Sequence, residues 1–361
     1  ILGTGQKHCC PMADTSRLAI NGYGRIGRCV LRALHERDDL SSLNVVAIND
    51  LTDARTLAHL TRYDSTHGRF PGNVSLQSDN VLQVNGSHVK ILQTPGVDDL
   101  PWQAMDIDLV LECSGQLSDR AAGERHLSAG ARRMLFSQPA SHDVDATIVY
   151  GINDGDLQAS HRIISAASCT TNCVVPVIKC LDDAFGLEYG VITTIHSAMN
   201  DQPVIDAYHH QDLRKTRSAV QSIIPVDTGL AKGIGRILPH LDGRFSAQAM
   251  RVPTVNVSAI DLTVTVREGV TADIVNQAIR AAAAQSAPDV LACTDEPLAS
   301  CDFNHDPRSA IVDLSQTRVS GKNLVKVLAW FDNEWAYANR MLDVAQLICQ
   351  LDSTSGAGTK R

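Results

Sequence analysis

Apolar and polar positions change their spacing along the start of the chain in a way that predicts alternating strands and helices. A short apolar run at 18–21 leads into a glycine-rich stretch, and residues 25–36 then carry apolar side chains at helical spacing. A second apolar run at 43–48 is β-branched and ends at an asparagine and an aspartate. The order strand, glycine turn, helix, strand is typical of a parallel sheet built from βαβ units.

The same alternation continues further along the chain. Apolar runs at 108–112 and 134–137 predict two strands around a helix over 118–129, and an Asn-Gly pair within 84–89 predicts a hairpin. Ser137 then stands at the carboxyl end of a strand, which is the edge where an open parallel sheet binds its ligand. We therefore consider Ser137 a candidate cofactor residue, with a plain turn as the alternative.

The glycine-rich stretch has the GxGxxG spacing of a dinucleotide-binding loop. Gly22 permits the tight turn, Gly24 leaves room for a pyrophosphate, and Gly27 lets helix and strand pack closely. The backbone N–H groups at the start of the helix, at Arg25, Ile26 and Gly27, then face the pyrophosphate charge. Asp50 follows the second strand and would accept hydrogen bonds from the ribose hydroxyls, so the motif favours NAD over NADP.

Composition narrows the class of protein. The chain has 361 residues and a formal net charge of -8, with 44% hydrophobic and 20% charged residues. This composition excludes a wholly disordered chain, no apolar run approaches the roughly 20 residues of a membrane span, and the negative charge gives nucleic-acid binding no support. Ten cysteines without disulfide-type spacing favour a reducing compartment, so we expect a cytoplasmic protein.

A cysteine and a distant histidine are the candidates for chemistry. Cys169 falls between a predicted strand over 162–168 and a predicted helix over 174–181, and a helix N-terminus stabilises a thiolate. His196 ends a predicted strand over 191–196, so the two side chains can form a nucleophile–base pair once the chain folds. Metal ligation by Cys169 and Cys173 is an alternative, but no second pair has ligand spacing, and we predict no metal.

The second half of the chain predicts a domain of another kind. Strands are expected over 252–266 and 324–330, and a helix over 271–286 with Thr271 as its N-cap. We therefore predict an α/β protein with a Rossmann-type dinucleotide-binding domain and an α+β catalytic domain built on an antiparallel sheet. Residues 1–16 and 352–361 are expected to be disordered tails, with 1–11 a leader outside the natural product.

Four longer motifs resemble those of one enzyme family. The stretches ASCTTN, TTIH, MRVPT and WFDNEW, at 167–172, 193–196, 250–254 and 330–335, are similar to the phosphorylating aldehyde dehydrogenases of the glyceraldehyde-3-phosphate dehydrogenase family. The resemblance covers about residues 17–351. It implies an NAD-binding domain formed by 17–168 with 333–351, a catalytic domain over 169–332, and a homotetramer.

The resemblance also implies roles for individual residues. Cys169 would attack the aldehyde, His196 would take the proton as hydride leaves, and the product would be a thioester on the sulfur. Asn333 would hold the nicotinamide carboxamide, and Tyr337 would pack near the nicotinamide ring. Phosphate groups would be bound by a set of hydroxyl, backbone and cationic groups, namely Ser168, Thr170, Lys215, Arg217, Thr228, Gly229 and Arg251.

Two departures from the family pattern concern the substrate. Met199 stands where glycolytic members carry a phosphate-binding threonine, and Lys215 stands where an arginine is usual, with Arg217 as a possible replacement. The motifs at 196–199, 221–228 and 309–313 resemble those of the branch that oxidises erythrose 4-phosphate to 4-phosphoerythronate for pyridoxal phosphate synthesis. The two departures agree with that branch. The alternatives are the phosphorylating glycolytic reaction and a non-catalytic NAD-binding interaction protein.

Overall fold

The structure is a computed structural model that describes residues 15–209 and 212–356, with only the backbone described for 352–356. The first half contains strands and helices of the predicted alternating type. In chain order they are β1 (Ser16–Asn21), α1 (Arg25–Glu36), β2 (Leu43–Asn49), α2 (Ala54–Arg62), β3 (Tyr63–Asp64), β4 (Gly68–Arg69), β5 (Val74–Ser78), β6 (Val81–Val84), β7 (Ser87–Leu92), β8 (Leu109–Glu112), α3 (Arg120–Ser128), β9 (Arg133–Phe136), β10 (Ala146–Thr147) and β11 (Ile163–Ser165).

The second half is dominated by longer strands. Its elements are α4 (Cys169–Phe185), β12 (Leu187–His196), β13 (Ile224–Val226), α5 (Leu230–Ile237), β14 (Phe245–Arg251), β15 (Ser258–Val266), α6 (Ala272–Gln285), β16 (Leu291–Thr294), β17 (Ala310–Ser320), β18 (Leu324–Phe331) and α7 (Trp335–Gly356). Thr271 caps α6 as expected, since its side chain accepts a hydrogen bond from the Ile274 N–H.

Two large sheets organise these elements. The first has nine strands in the order β10-β11-β9-β8-β1-β2-β7-β6-β5, and its pairs are parallel from β10 to β7. The second has seven strands in the order β13-β14-β12-β15-β18-β17-β16, and most of its pairs are antiparallel. The predicted fold class is confirmed, with parallel pairing of β12 with β14 and of β16 with β17 as exceptions.

Each sheet has its own core, and the C-terminal helix returns to the first. Buried Met341 and Leu342 of α7 share one hydrophobic cluster with Val30 and Leu31 of α1. The second cluster joins the apolar face of α4 to β12, β15 and β18. Burial on both faces explains why the central strands of the first sheet, β1, β2, β8 and β9, have nearly continuous apolar sequences.

Several element bounds differ from the predictions. The expected strand over 252–266 begins only at Ser258, because Pro253 cannot donate to a ladder and Val257 has a φ of +65°. Within the predicted tails, Ser16 begins β1 and 352–356 form the end of α7, while 1–14 and 357–361 lie outside the described residues. Among the described helices, none combines the length and apolar character needed to cross a membrane.

Candidate active site

Cys169 is the first residue of α4, immediately after a strained turn. Ala167 has a φ of +58°, which costs a residue with a side chain on the order of 1 kcal/mol. The Tyr337 hydroxyl donates to the Ala167 carbonyl over 2.9 Å, and the Ser168 hydroxyl accepts from the Thr171 N–H over 3.0 Å. These contacts begin the helix at Cys169 and hold its thiol at the helix N-terminus.

His196, the last residue of β12, faces this thiol. Its Nε2 lies 3.8 Å from the Cys169 Sγ, and its Nδ1 lies 2.8 Å from the Ser197 carbonyl oxygen. A carbonyl only accepts, so Nδ1 carries the proton and Nε2 presents a lone pair to the thiol. Parallel pairing places Arg251 of β14 beside His196. The geometry is that of a nucleophile and its general base.

Burial sets the protonation of this pair. It raises the pKa of the Cys169 thiol above its ordinary value, and hydrogen bonds from Thr170 oppose that rise only in part. Burial also lowers the pKa of His196, against the opposing effect of the Ser197 carbonyl. Both shifts favour a neutral thiol beside a neutral imidazole. A helix N-terminus acts in the opposite direction, toward the thiolate, and a thiol that is neutral at rest needs His196 to remove its proton during attack.

Two buried serines connect His196 to Asn333. The Ser197 hydroxyl donates to the Asn333 Oδ1 over 3.0 Å, and the Ser258 hydroxyl donates to the same oxygen over 2.8 Å. Ser258 also accepts from the Ser197 N–H over 3.1 Å. Sequence reasoning missed both serines. Ser197 directly follows the candidate base His196, and this position was the one available signal for it. No sequence motif near Ser258 indicates a role in the site.

The glycine loop leaves space where a dinucleotide phosphate would lie. Gly22 has a φ of +89°, and a Cβ there would lie 2.4 Å from the Ser114 Cα. A Cβ on Gly27 would lie 2.3 Å from the Gly22 carbonyl oxygen, so α1 packs directly on the loop. A Cβ on Gly24 would meet nothing within 4 Å, and no side chain caps the N-terminus of α1. The residues present therefore fit an anionic cofactor.

Asp50 lies at the mouth of the same space. Partial burial opposes ionisation, but hydrogen bonds from the N–H groups of Thr52 and Tyr23 hold the pKa of Asp50 below its ordinary value. A cavity of about 490 Å³ is lined by Asp50, Gly22 and Gly24 among other residues. An ionised carboxylate at this position repels a phosphate on the ribose 2′-oxygen and accepts hydrogen bonds from free ribose hydroxyls.

Other predicted cofactor residues have structural partners. The Arg25 side chain pairs with Asp64 and Glu334, which leaves its backbone N–H as the group facing the loop. Ile26 is partly buried against the first core. The Ser137 N–H bonds the Glu112 carbonyl at the carboxyl end of β9. Tyr337 is buried, and its hydroxyl is engaged by Ala167.

The predicted phosphate-binding cations are only partly brought together. Arg251 and Lys215 pair with the two oxygens of Asp201, at 2.6 and 3.0 Å. These pairs, together with partial burial that acts in the opposite direction, leave the pKa of Asp201 below its ordinary value. Arg217 instead pairs with Asp206 on an exposed part of the loop. Met199 is 47% exposed.

The hydroxyl and backbone candidates lie at two helix N-termini. Ser168 caps α4, and the Thr170 hydroxyl lies 3.8 Å from the Cys169 Sγ. Thr228 accepts from the Leu230 N–H over 3.2 Å, next to Gly229, which is the N-cap of α5. Ser168 and Gly229 line one cavity of about 570 Å³, so the two N-termini open to a shared space.

Two models of known protein families match the chain. The family model described as glyceraldehyde 3-phosphate dehydrogenase, NAD binding domain, matches residues 16–120. The family model described as glyceraldehyde 3-phosphate dehydrogenase, C-terminal domain, matches residues 168–333 and thus spans Cys169, His196 and Asn333. The chain therefore belongs to the glyceraldehyde-3-phosphate dehydrogenase family, with NAD as its cofactor and a phosphorylated aldehyde as its class of substrate.

Proposed function

We propose that the protein oxidises D-erythrose 4-phosphate to 4-phosphoerythronate, with NAD as the hydride acceptor. The 3.8 Å approach of the Cys169 Sγ to the unprotonated His196 Nε2 is the observation that carries this proposal. A neutral thiol needs a base as it attacks, and the hydrogen bond from Nδ1 to the Ser197 carbonyl keeps Nε2 available.

The reaction begins when the Cys169 sulfur adds to the aldehyde carbon while His196 removes the thiol proton and passes it to the aldehyde oxygen. The resulting thiohemiacetal donates its hydroxyl proton to the imidazole as hydride leaves for the cofactor, and a thioester remains on Cys169. Bound NAD supplies the two-electron acceptor. The Cys169 backbone N–H and the His196 ring are the donors we assign to the oxyanion. Water then releases the acid and restores the thiol.

The remaining site residues position the two ligands. Asn333 holds the nicotinamide carboxamide through its amide NH2 group, because Ser197 and Ser258 already occupy its oxygen. The glycine loop, through Gly22, Gly24, Gly27 and the N–H groups of Arg25 and Ile26, receives the pyrophosphate. Asp50 binds the ribose hydroxyls, Ser137 contributes to the cofactor site from the carboxyl end of β9, and Tyr337 supports the turn before Cys169.

Arg251 and Lys215 are proposed to bind the substrate phosphate by exchanging Asp201 for it. Charge-assisted hydrogen bonds of this kind contribute about 1.5–3 kcal/mol each. Thr170, Ser168, Thr228 and Gly229 supply hydroxyl and backbone donors around the neighbouring helix N-termini, and Arg217 serves only if the exposed loop moves. The exposed thioether of Met199 donates no hydrogen bond, which favours a longer sugar phosphate over the glycolytic substrate.

A homotetramer in the cytoplasm completes the proposal. The support for association is a group of exposed apolar side chains on the segment between β12 and β13. Contact with another subunit would remove these side chains from water. They are Val204, Ile205, Tyr208 and Leu213. Light scattering of the purified chain should give four times the mass of one subunit.

The deciding experiment compares two aldehydes with and without inorganic phosphate. NADH should form from erythrose 4-phosphate without added phosphate, and Cys169→Ser should abolish it. The matched control is Cys349→Ser, which alters a thiol in the C-terminal half of α7. Comparable or better turnover of glyceraldehyde 3-phosphate, strictly dependent on phosphate, would assign the chain to the glycolytic reaction instead.

A further inference from the structure

Asn333 sits in a short link between β18 and α7 that is held mainly by Asp332. One Asp332 oxygen accepts from the N–H groups of Glu334 and Trp335, at 2.9 and 2.8 Å, and so caps α7. The other oxygen accepts from the His305 N–H over 2.8 Å. The position of Asn333 thus depends on a residue of a distant loop.

His305 contacts this link on more than one side. Its ring stacks on Trp335 with centroids 3.7 Å apart, and its backbone has a φ of +66°. A left-handed backbone at a residue other than glycine persists only where its surroundings enforce it, and such residues concentrate at functional sites. His305 also meets His67, whose other ring nitrogen lies 3.1 Å from a carboxylate oxygen of Glu334.

The hydrogen bonds of the His67 and His305 rings are all satisfied only when their four nitrogens carry three protons in total. The His67 Nε2 lies on Glu334 and the His305 Nε2 lies 3.0 Å from the Glu36 carboxylate, so each Nε2 donates. The two Nδ1 atoms lie 3.2 Å apart, and they attract each other only when one of them carries a proton. The pair therefore holds three protons and one positive charge, whereas two neutral rings would set two lone pairs against each other.

The surroundings of the rings accommodate that charge. Helix α1 brings Glu36, Arg32, Cys29 and Arg25 toward them, strand β3 brings Asp64, and the Asn333 link brings Asp332 and Glu334. Burial opposes ionisation of Glu334, but hydrogen bonds from Arg25 and His67 hold its pKa below the ordinary value. Because Arg25 already neutralises that carboxylate, we assign no metal to the thiol, ring and carboxylate found here.

The rings also have a route for proton exchange. Glu36, His305 and Trp335 line a cavity of about 480 Å³ that is separate from the cofactor space. Five further charged side chains line the same cavity, namely Arg37, Asp39, Asp289, Arg340 and Asp343. The His305 ring is thus in contact with solvent, although the His67 side chain is fully buried.

We propose that His67 and His305 share one proton and that this charged pair positions the segment bearing Asn333, so that NAD binding weakens as rising pH removes the proton. His305 is then a positioning residue, acting through Trp335, Asp332 and the His67–Glu334 bond. The inference rests on the proposed role of Asn333 in holding NAD, but it does not depend on which aldehyde is oxidised.

The test measures the NAD dissociation constant by calorimetry from about pH 5 to about pH 8, the range in which histidine titrates. In the unaltered chain the constant should rise about tenfold across this range, the effect of losing one buried charged hydrogen bond. His305→Phe keeps the stacking on Trp335 but cannot share a proton, so its constant should stay at the weak value throughout. His88→Gln, on the exposed face of β7, is the control and should keep the step.

A second variant and a second readout protect the test from folding defects. His67→Gln should give the same flat profile, and the unfolding temperature measured without NAD should lose the same pH step in both variants. Parallel profiles for the unaltered chain and His305→Phe would overturn the inference, as would a step in unfolding temperature with no step in NAD affinity. Calorimetry needs no turnover, so a failed aldehyde assay would reject the proposed reaction alone.

Discussion

The two serines on Asn333 make a prediction whose size can be worked out. Ser197→Ala removes one of two hydroxyl donors to a buried amide oxygen, and Ser258 still donates over 2.8 Å. Such a loss costs about 1 kcal/mol, or about a fivefold weaker affinity for NAD. The double variant Ser197→Ala/Ser258→Ala leaves the oxygen with neither donor, which costs about 2–3 kcal/mol, or about 30- to 150-fold.

The assay is calorimetric titration of NAD into each variant, with Ser246→Ala on the exposed face of β14 as the control. The pH profile of Cys169 alkylation should not change in Ser197→Ala, because His196 bonds the backbone carbonyl of residue 197, which alanine retains. A double variant that binds NAD as tightly as the Ser197 single variant would refute this reasoning. Equal losses in the Ser246 control would refute it as well.

Three further predictions concern the reacting groups. His196→Asn should slow NADH formation about 10²–10⁴-fold with NAD affinity nearly unchanged; an equal loss of NAD binding would make His196 structural. Because burial raises the pKa of the Cys169 thiol, the rate of its alkylation by iodoacetamide should have its midpoint at a higher pH than an ordinary cysteine. A midpoint at or below the ordinary value would contradict the neutral pair. Asp50→Ala should improve NADP binding at the expense of NAD, measured as the ratio of the two dissociation constants; an unchanged ratio would place cofactor choice elsewhere.

Features with a local cause could be predicted from the sequence. The loop at Gly22, Gly24 and Gly27 follows from sterics within one βαβ unit, and the structure has the close approaches that such a loop needs at Gly22 and Gly27. The positions of Cys169 and His196 at element ends also follow from local periodicity. The contact between the two side chains depends on how α4 packs against β12, which local periodicity does not show. The family motifs were the evidence for that contact.

Features that arise between distant segments could not be predicted. Ser258 reaches Asn333 across 75 positions and Tyr337 reaches Ala167 across 170, and neither pair leaves a local pattern. The helix N-terminus at Cys169 is visible in the sequence, whereas the burial that raises the pKa of its thiol is not. The positive φ at Ala167 and His305 is likewise imposed by tertiary contacts.

The proposed oxidation proceeds through a thioester on Cys169. The most direct measurement mixes the chain with NAD and erythrose 4-phosphate, quenches the mixture in acid within milliseconds, and locates the acyl group by peptide mass spectrometry. A 4-phosphoerythronyl group is expected on the peptide that contains Cys169, formed together with the first equivalent of NADH. An acyl group on another residue, or NADH formed equally fast by Cys169→Ser, would contradict it.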